Sequence, residues 1–180
     1  MAVISAIAFA ACDDATGLDP AFFENTVDTL TLYALQGTAI ADPSAFDVVI
    51  GETVRIERGE AFDFVFDIDS AGNPILYPTQ ALGFADVSGI AFPEDSWSDL
   101  REAPTDGYET ENPVALAPDT LFVVRSRASA INCSTALGAL PRYGKFRVLA
   151  LDFDARTATL EALVNLNCGY RGLEPGYPDR

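Results

Sequence analysis

The sequence predicts an all-β protein, an antiparallel β-sandwich or open barrel of about eight to ten short strands with little helix. Three observations predict it. Apolar residues recur at every second position in several stretches, which is the period of a strand and not of a helix. Turn signals rich in Gly, Pro, Asn and Asp recur about every ten residues. The most regular stretch, Thr120 to Arg171, holds two strands joined by Asp152-Phe-Asp154-Ala-Arg-Thr157, a turn short enough to force an antiparallel hairpin.

Taken in order, Ala21 to Asn25 reads as a helical turn. Thr26 to Leu35 alternates, with Leu30, Leu32 and Ala34 on one side, and reads as a strand. Gly37 to Ser44 is a loop marked by Asp42-Pro43. Phe46 to Ile50 and Thr53 to Glu57 are two short strands about Gly51-Glu52. Phe62, Phe64, Phe66 and Ile68 alternate with Asp63, Val65 and Asp67. Ser70-Ala-Gly-Asn-Pro74 is a turn, and Ile75 to Tyr77 returns from it. Between Pro78 and Asp119 the pattern loosens and prolines punctuate it. Ser96 to Arg101 reads as one helical turn, stopped by Ala103-Pro104. A long irregular segment on a regular scaffold is where function is expected. Leu121 to Arg127 is a strand. Lys145 to Phe153 is apolar on both faces at its end, so it belongs in the middle of a sheet. From Ala158 to Cys168, Leu160, Ala162, Val164, Leu166 and Cys168 share the inward parity. Thr159, Glu161, Asn165 and Asn167 take the other, with Leu163 the exception.

The 180 residues suit one domain, and 49% hydrophobic content with 12 Phe and 6 Tyr suffices for a sizeable core. The net charge of −16 disfavours nucleic acid as a partner, because phosphate neutralisation needs basic surface. The charge is uneven. Residues 120–180 hold eight of the 11 basic side chains but five of the 27 acidic ones. Arg125, Arg127, Arg142 and Arg147 there are candidates for an anion site; two packed layers of unlike charge would look the same. Histidine is absent, which removes Ser-His-Asp and Cys-His triads and every His-ligated metal. No cofactor is expected.

The first eleven residues, MAVISAIAFAA, are small and apolar, too short for a mature transmembrane helix. They read as a signal peptide lacking its usual basic start, which suggests that the true start lies upstream. Ala10-Ala11-Cys12 resembles the cleavage box of bacterial lipoproteins, although Phe9 stands where Leu is usual. That resemblance implies a lipid on Cys12; cleavage after Ala8-Phe9-Ala10 is the alternative. Of three cysteines, lipidation of one would leave Cys133 and Cys168 to pair as a disulfide. The expected organisation is a signal over 1–11, a lipid-anchored tether over 12–25, one β domain over 26–171 and a tail over 172–180.

Some residues fall into a family order. Val48 to Ile56 followed by Ala61-Phe-Asp-Phe-Val-Phe66 is similar to the strand, strand, W-D-I/L/V-x-F opening of HmuY-like lipoproteins of Gram-negative bacteria, with Phe62 in the Trp position. Ser98 to Pro104 with Asp106-Gly-Tyr108 is similar to that family's A-P…G-Y stretch. Leu121 to Arg125 and Tyr143-Gly-Lys145-Phe-Arg-Val148 resemble its paired strands. The resemblance spans roughly 46–166. It implies an all-β domain held on the outer membrane by lipid. Members that scavenge haem hold the iron between two histidines, which this chain lacks, and the cysteine pair has no counterpart in the pattern.

Three further constellations bear on chemistry. Asp67-Ile-Asp69-Ser-Ala-Gly72 begins like a calcium loop, but its third acidic position is Ala71 and its closing position is Pro78, so a hairpin turn explains it better. Ser134-Thr135 is a nucleophile without a base. Trp97 and Tyr108 suit either a ligand platform or a lid over the core. The sequence therefore leads to a non-catalytic binding or interaction protein of the cell envelope, with Trp97, Tyr108, Arg125, Arg127 and Arg147 as ligand contacts. Its membrane partner would be reached through the lipid. A structural subunit of a surface assembly, or a histidine-free hydrolase run by two carboxylates, is the alternative.

Overall fold

In a computed structural model the protein is described over residues 17–129, 133–135 and 138–179. Cys12 and the apolar stretch before it lie outside the described residues.

Two five-stranded antiparallel sheets pack face to face and do not close into a barrel. The larger sheet comprises β1 (Val27–Tyr33), β6 (Gly89–Ala91), β8 (Leu121–Arg125), β11 (Tyr143–Asp152) and β12 (Thr157–Asn165), in the order β1-β12-β11-β8-β6. The other is β3-β2-β4-β5-β7, built from β2 (Ala45–Asp47), β3 (Glu52–Val54), β4 (Phe64–Ile68), β5 (Pro74–Pro78) and β7 (Val114–Ala115). A small hairpin, β9 (Ser134–Thr135) and β10 (Gly138–Ala139), stands apart. The expected β class holds, and among the described residues helix is limited to two 3-10 turns, Ile56–Arg58 and Thr79–Leu82.

The alternating apolar positions meet between the sheets. Phe46, Phe64 and Phe66 from one sheet face Leu32, Phe122, Phe146 and Leu160 from the other. Rings of Phe64, Phe122 and Phe146 lie 5.2–5.8 Å apart, edge-on or stacked. β11 is central, as expected, although the apolar end that suggested it is exposed at Leu149 and Phe153. Its register shifts between Val148 and Ala150, leaving Leu149 as the extra residue of a bulge, its side chain largely in solvent.

A second apolar layer covers the outer face of the larger sheet. Leu100, Ala103 and Leu173 bury Val123 and Leu163 there. This explains why Leu163 breaks parity: both faces of β12 are covered. The C-terminal segment is therefore part of the fold and not a tail. The Ala103 amide donates to the Arg171 carbonyl at 2.8 Å, and the Leu173 amide to the Arg101 carbonyl at 2.6 Å. The tether expected over 12–25 also docks in its last residues. Phe22 and Phe23 amides donate to Asn167 Oδ1, and Asn25 pairs with Gly176. Ala21 to Asn25 runs as a bend and a bridge, not as a helical turn. The predicted second short strand ends early, because Ile56 begins a 3-10 turn closed by Gly59 in the left-handed region at φ 69°.

Cys133 and Cys168 form the expected disulfide, their Cα atoms 5.4 Å apart. Closing a loop of 35 residues stabilises by roughly 3–4 kcal/mol on the chain-entropy account.

Candidate functional site

The outer face of the larger sheet gathers four of the five predicted ligand contacts. β8 ends in Arg125, whose cross-strand neighbours are Gly89 on one side and Tyr143 on the other. Tyr143, Lys145 and Arg147 share one parity of β11, opposite to Phe146 and Val148 in the core. Over them lies the irregular segment after β6. Its Ser96 carbonyl accepts the amides of Asp99 and Leu100, the single turn that the sequence suggested.

Trp97 is the centre of one cluster. The Lys145 ammonium lies 4.6 Å from its ring centroid and the Arg147 guanidinium 5.6 Å. Lys145 is buried and donates to the Trp97 and Leu100 carbonyls at 2.9 and 3.0 Å. Burial holds its pKa below the usual range, against the pull of Glu174 and Glu161. Arg147 pairs with Glu161 at 2.6 Å. Tyr108 centres a second cluster. Arg125 stacks 4.7 Å from its ring, and its hydroxyl donates to the Pro104 carbonyl at 2.9 Å. Both rings are half-buried and both pack on the outer apolar layer, the arrangement expected of a lid. The residues that sequence reasoning missed are Tyr143, Lys145 and Arg171. The signal for the first two was their shared parity with Arg147, and Lys145 is the sole lysine of the chain.

Arg127 and Arg142 go elsewhere. β8 stops at Arg125, and Arg127 turns into the end of the sandwich, where it is a structural cation. Its Nη2 donates to Asp47 at 2.8 Å and its Nη1 lies 3.1 Å from Asp63. Asp63 also accepts the amides of Val48 and Arg127, at 2.8 and 2.7 Å. Burial pushes the Asp63 carboxyl up to about 7; Arg127 and the amides oppose it and Asp47 adds to it. Burial works against the Arg127 charge, yet the two carboxylates raise its pKa on balance. Arg142 donates to the Val49 carbonyl and lies 3.7 Å from Cys168 Sγ.

Asp67 and Asp69, the start of the calcium-like loop, are not brought together as ligands. Asp67 is buried and accepts the Gln36 and Ile68 amides, at 3.1 and 2.8 Å. Asp69 is exposed and caps its own turn, accepting the Ala71 and Asn73 amides at 2.8 Å. Among the described residues no group of three acidic or cysteine side chains is placed to hold a metal ion.

Among the described residues, hollows also open away from this face. One, of about 280 Å3, opens beside the disulfide between Phe22, Phe23, Arg142 and Tyr170. Another, of about 250 Å3, lies between Phe62, Phe84 and Arg127.

No family model matches the chain, and no curated protein matches it.

Proposed function

We propose that this is an exported protein, anchored to the cell envelope by a lipid on Cys12, which binds a ligand without catalysing a reaction. The observation that carries the reading is the gathering of Trp97, Tyr108, Arg125, Lys145 and Arg147 on one sheet face. Aromatic rings and held cations on a rigid sheet, under an irregular segment, make a preorganised contact surface. Nothing in that group is a nucleophile paired with a base. The carboxylates that the fold does bring together, Asp47 and Asp63, are committed to Arg127 and to backbone amides. The compartment is supported by the Cys133–Cys168 disulfide, which leaves Cys12 as the odd cysteine of the three. The resemblance to HmuY-like lipoproteins points the same way for anchoring, though not for haem.

The test is expression of the full chain in a Gram-negative host, followed by detergent phase partition and intact mass. The expected result is a lipid-modified protein in the detergent phase, lost in Cys12→Ser. A variant that partitions as before with no lipid mass removed overturns the anchoring.

A further inference from the structure

One cation on the outer face is left unused by the fold. Every other arginine among the described residues reaches a carboxylate within 3.9 Å or, for Arg142, a backbone carbonyl. Arg125 reaches neither, in a chain with 27 acidic residues. We infer that Arg125 is the centre of a binding site for an oxyanion, a carboxylate, sulfate or phosphate group, completed by the Tyr143 hydroxyl and the Arg171 guanidinium. The inference rests on the binding role proposed above and gives the ligand its chemical class.

The site is built from the sheet outward. Gly89 stands opposite Arg125 and lends no side chain, so Tyr108 settles into the space. A Cβ on Gly89 would stand 2.7 Å from the Tyr108 Cβ. The Tyr108 hydroxyl is tied to Pro104, so the ring is fixed at both ends. Stacking on it occupies one face of the Arg125 guanidinium and leaves the in-plane N–H donors at the edge. A planar carboxylate, or two oxygens of a sulfate, meets that edge in bidentate fashion. The ring also holds the Arg125 rotamer, so less side-chain entropy is lost on binding.

Tyr143 sits directly across from Arg125 in the register, and its hydroxyl has no hydrogen-bond partner among the described residues. Arg171 is held in place by Nε, which donates to the Ala103 carbonyl at 2.8 Å, and by Nη2, which donates to the same oxygen, so Nη1 is the nitrogen left for an anion. Its nearest carboxylate, on Glu102, is 3.8 Å away and largely exposed, so the Arg171 charge is only partly balanced. Arg171 is tied to the Ala103 carbonyl and Tyr108 to that of Pro104, the next residue, so both side chains anchor at the same point of the covering segment; burial raises both phenols, Tyr108 and Tyr143, while Arg125 and Arg171 oppose that rise. All four side chains are half-buried, which leaves them reachable and strengthens their interaction with an anion.

The experiment is an NMR titration of 15N-labelled protein with sodium sulfate and with trigalacturonate, with neutral maltotriose as control. Saturable shifts at the amides of Gly89, Arg125 and Tyr143 and at the Arg125 side chain are expected with both anions, or with trigalacturonate alone if neighbouring contacts are needed. Arg125→Gln should weaken binding at least about tenfold. Arg125→Lys, which keeps the charge and loses the fork, separates lost recognition from lost folding. Arg58→Gln, in the 3-10 turn that follows β3, should bind as the wild type does. Equal binding by Arg125→Gln, or no saturable response to either anion, overturns the site. If maltotriose alone saturates at Trp97, the binding face stands and the oxyanion assignment falls.

Discussion

Asp63 occupies a position that alternation between Phe62 and Phe64 assigns to solvent, yet it is fully buried. The reason is backbone chemistry: the amides of Val48 and Arg127 need an acceptor at the end of the sandwich, and its two oxygens supply it. Its proton is bound more tightly in the folded chain than in the unfolded one. Between the ordinary 3.8 and about 7, the folded state therefore carries more protons. The Asp63 contribution to stability is then complete at the low end of that window and is lost as pH rises through it. In urea unfolding, the margin of the wild type over Asp63→Asn should be larger near the bottom of the window than above it. A margin that grows with pH would mean that Arg127, and not burial, sets the titration. Arg127 itself was expected on the ligand face. Nothing in the local pattern tells that β8 stops two residues before it.

The long strands were readable because each carries enough alternating residues for its period to show. Thr26 to Leu35 and Phe62 to Ile68 contain the observed β1 and β4, and Ala158 to Cys168 overlaps β12, which starts one residue earlier and ends at Asn165. The short ones were not. β6 and β7, with three and two residues, carry too little pattern, and their partners β8 and β5 hold them in place. Leu163 is instructive because its exception to parity reports a layer that lies far away in sequence, at Leu100 and Leu173. Leu163→Ala should cost about 2–5 kcal/mol, the range for a buried leucine. Thr159→Ala, on the same parity but half-buried, should change stability by about 0.5 kcal/mol or less. Chemical denaturation of the two variants checks both, and equal costs would mean that the outer layer does not seal. The same layer explains the partial legibility of the site. Trp97 and Tyr108 stood out as aromatics in an irregular segment, and Arg125 and Arg147 as charge. Arg171 reaches them only because the last segment pairs with residues 101–103.

At the scale of the whole molecule, acidic and basic side chains do not separate into layers. β11, in the middle of the larger sheet, carries Lys145 and Arg147 outward, while Arg127 and Arg156 neutralise carboxylates set at the ends of the sandwich or beside it. The uneven charge along the chain thus sets the basic side chains of the larger sheet against residues 92–112, which carry seven acidic side chains and one arginine. The boundaries drawn at 26 and 171 fell short because contacts between distant segments, such as Asn167 with Phe22 and Phe23, leave no periodic trace. The Asn25 amide donates to the Gly176 carbonyl at 2.8 Å, and the return bond measures 3.0 Å. The folded path is consequently almost a ring. Joining residue 177 to residue 18 through a short glycine linker and cutting the exposed Ala71-Gly72 turn should give a circular permutant with the same two sheets, recognisable by an unchanged amide spectrum away from the new junctions. Which strand is made first would then be a matter of where the ring is opened, not of the architecture itself.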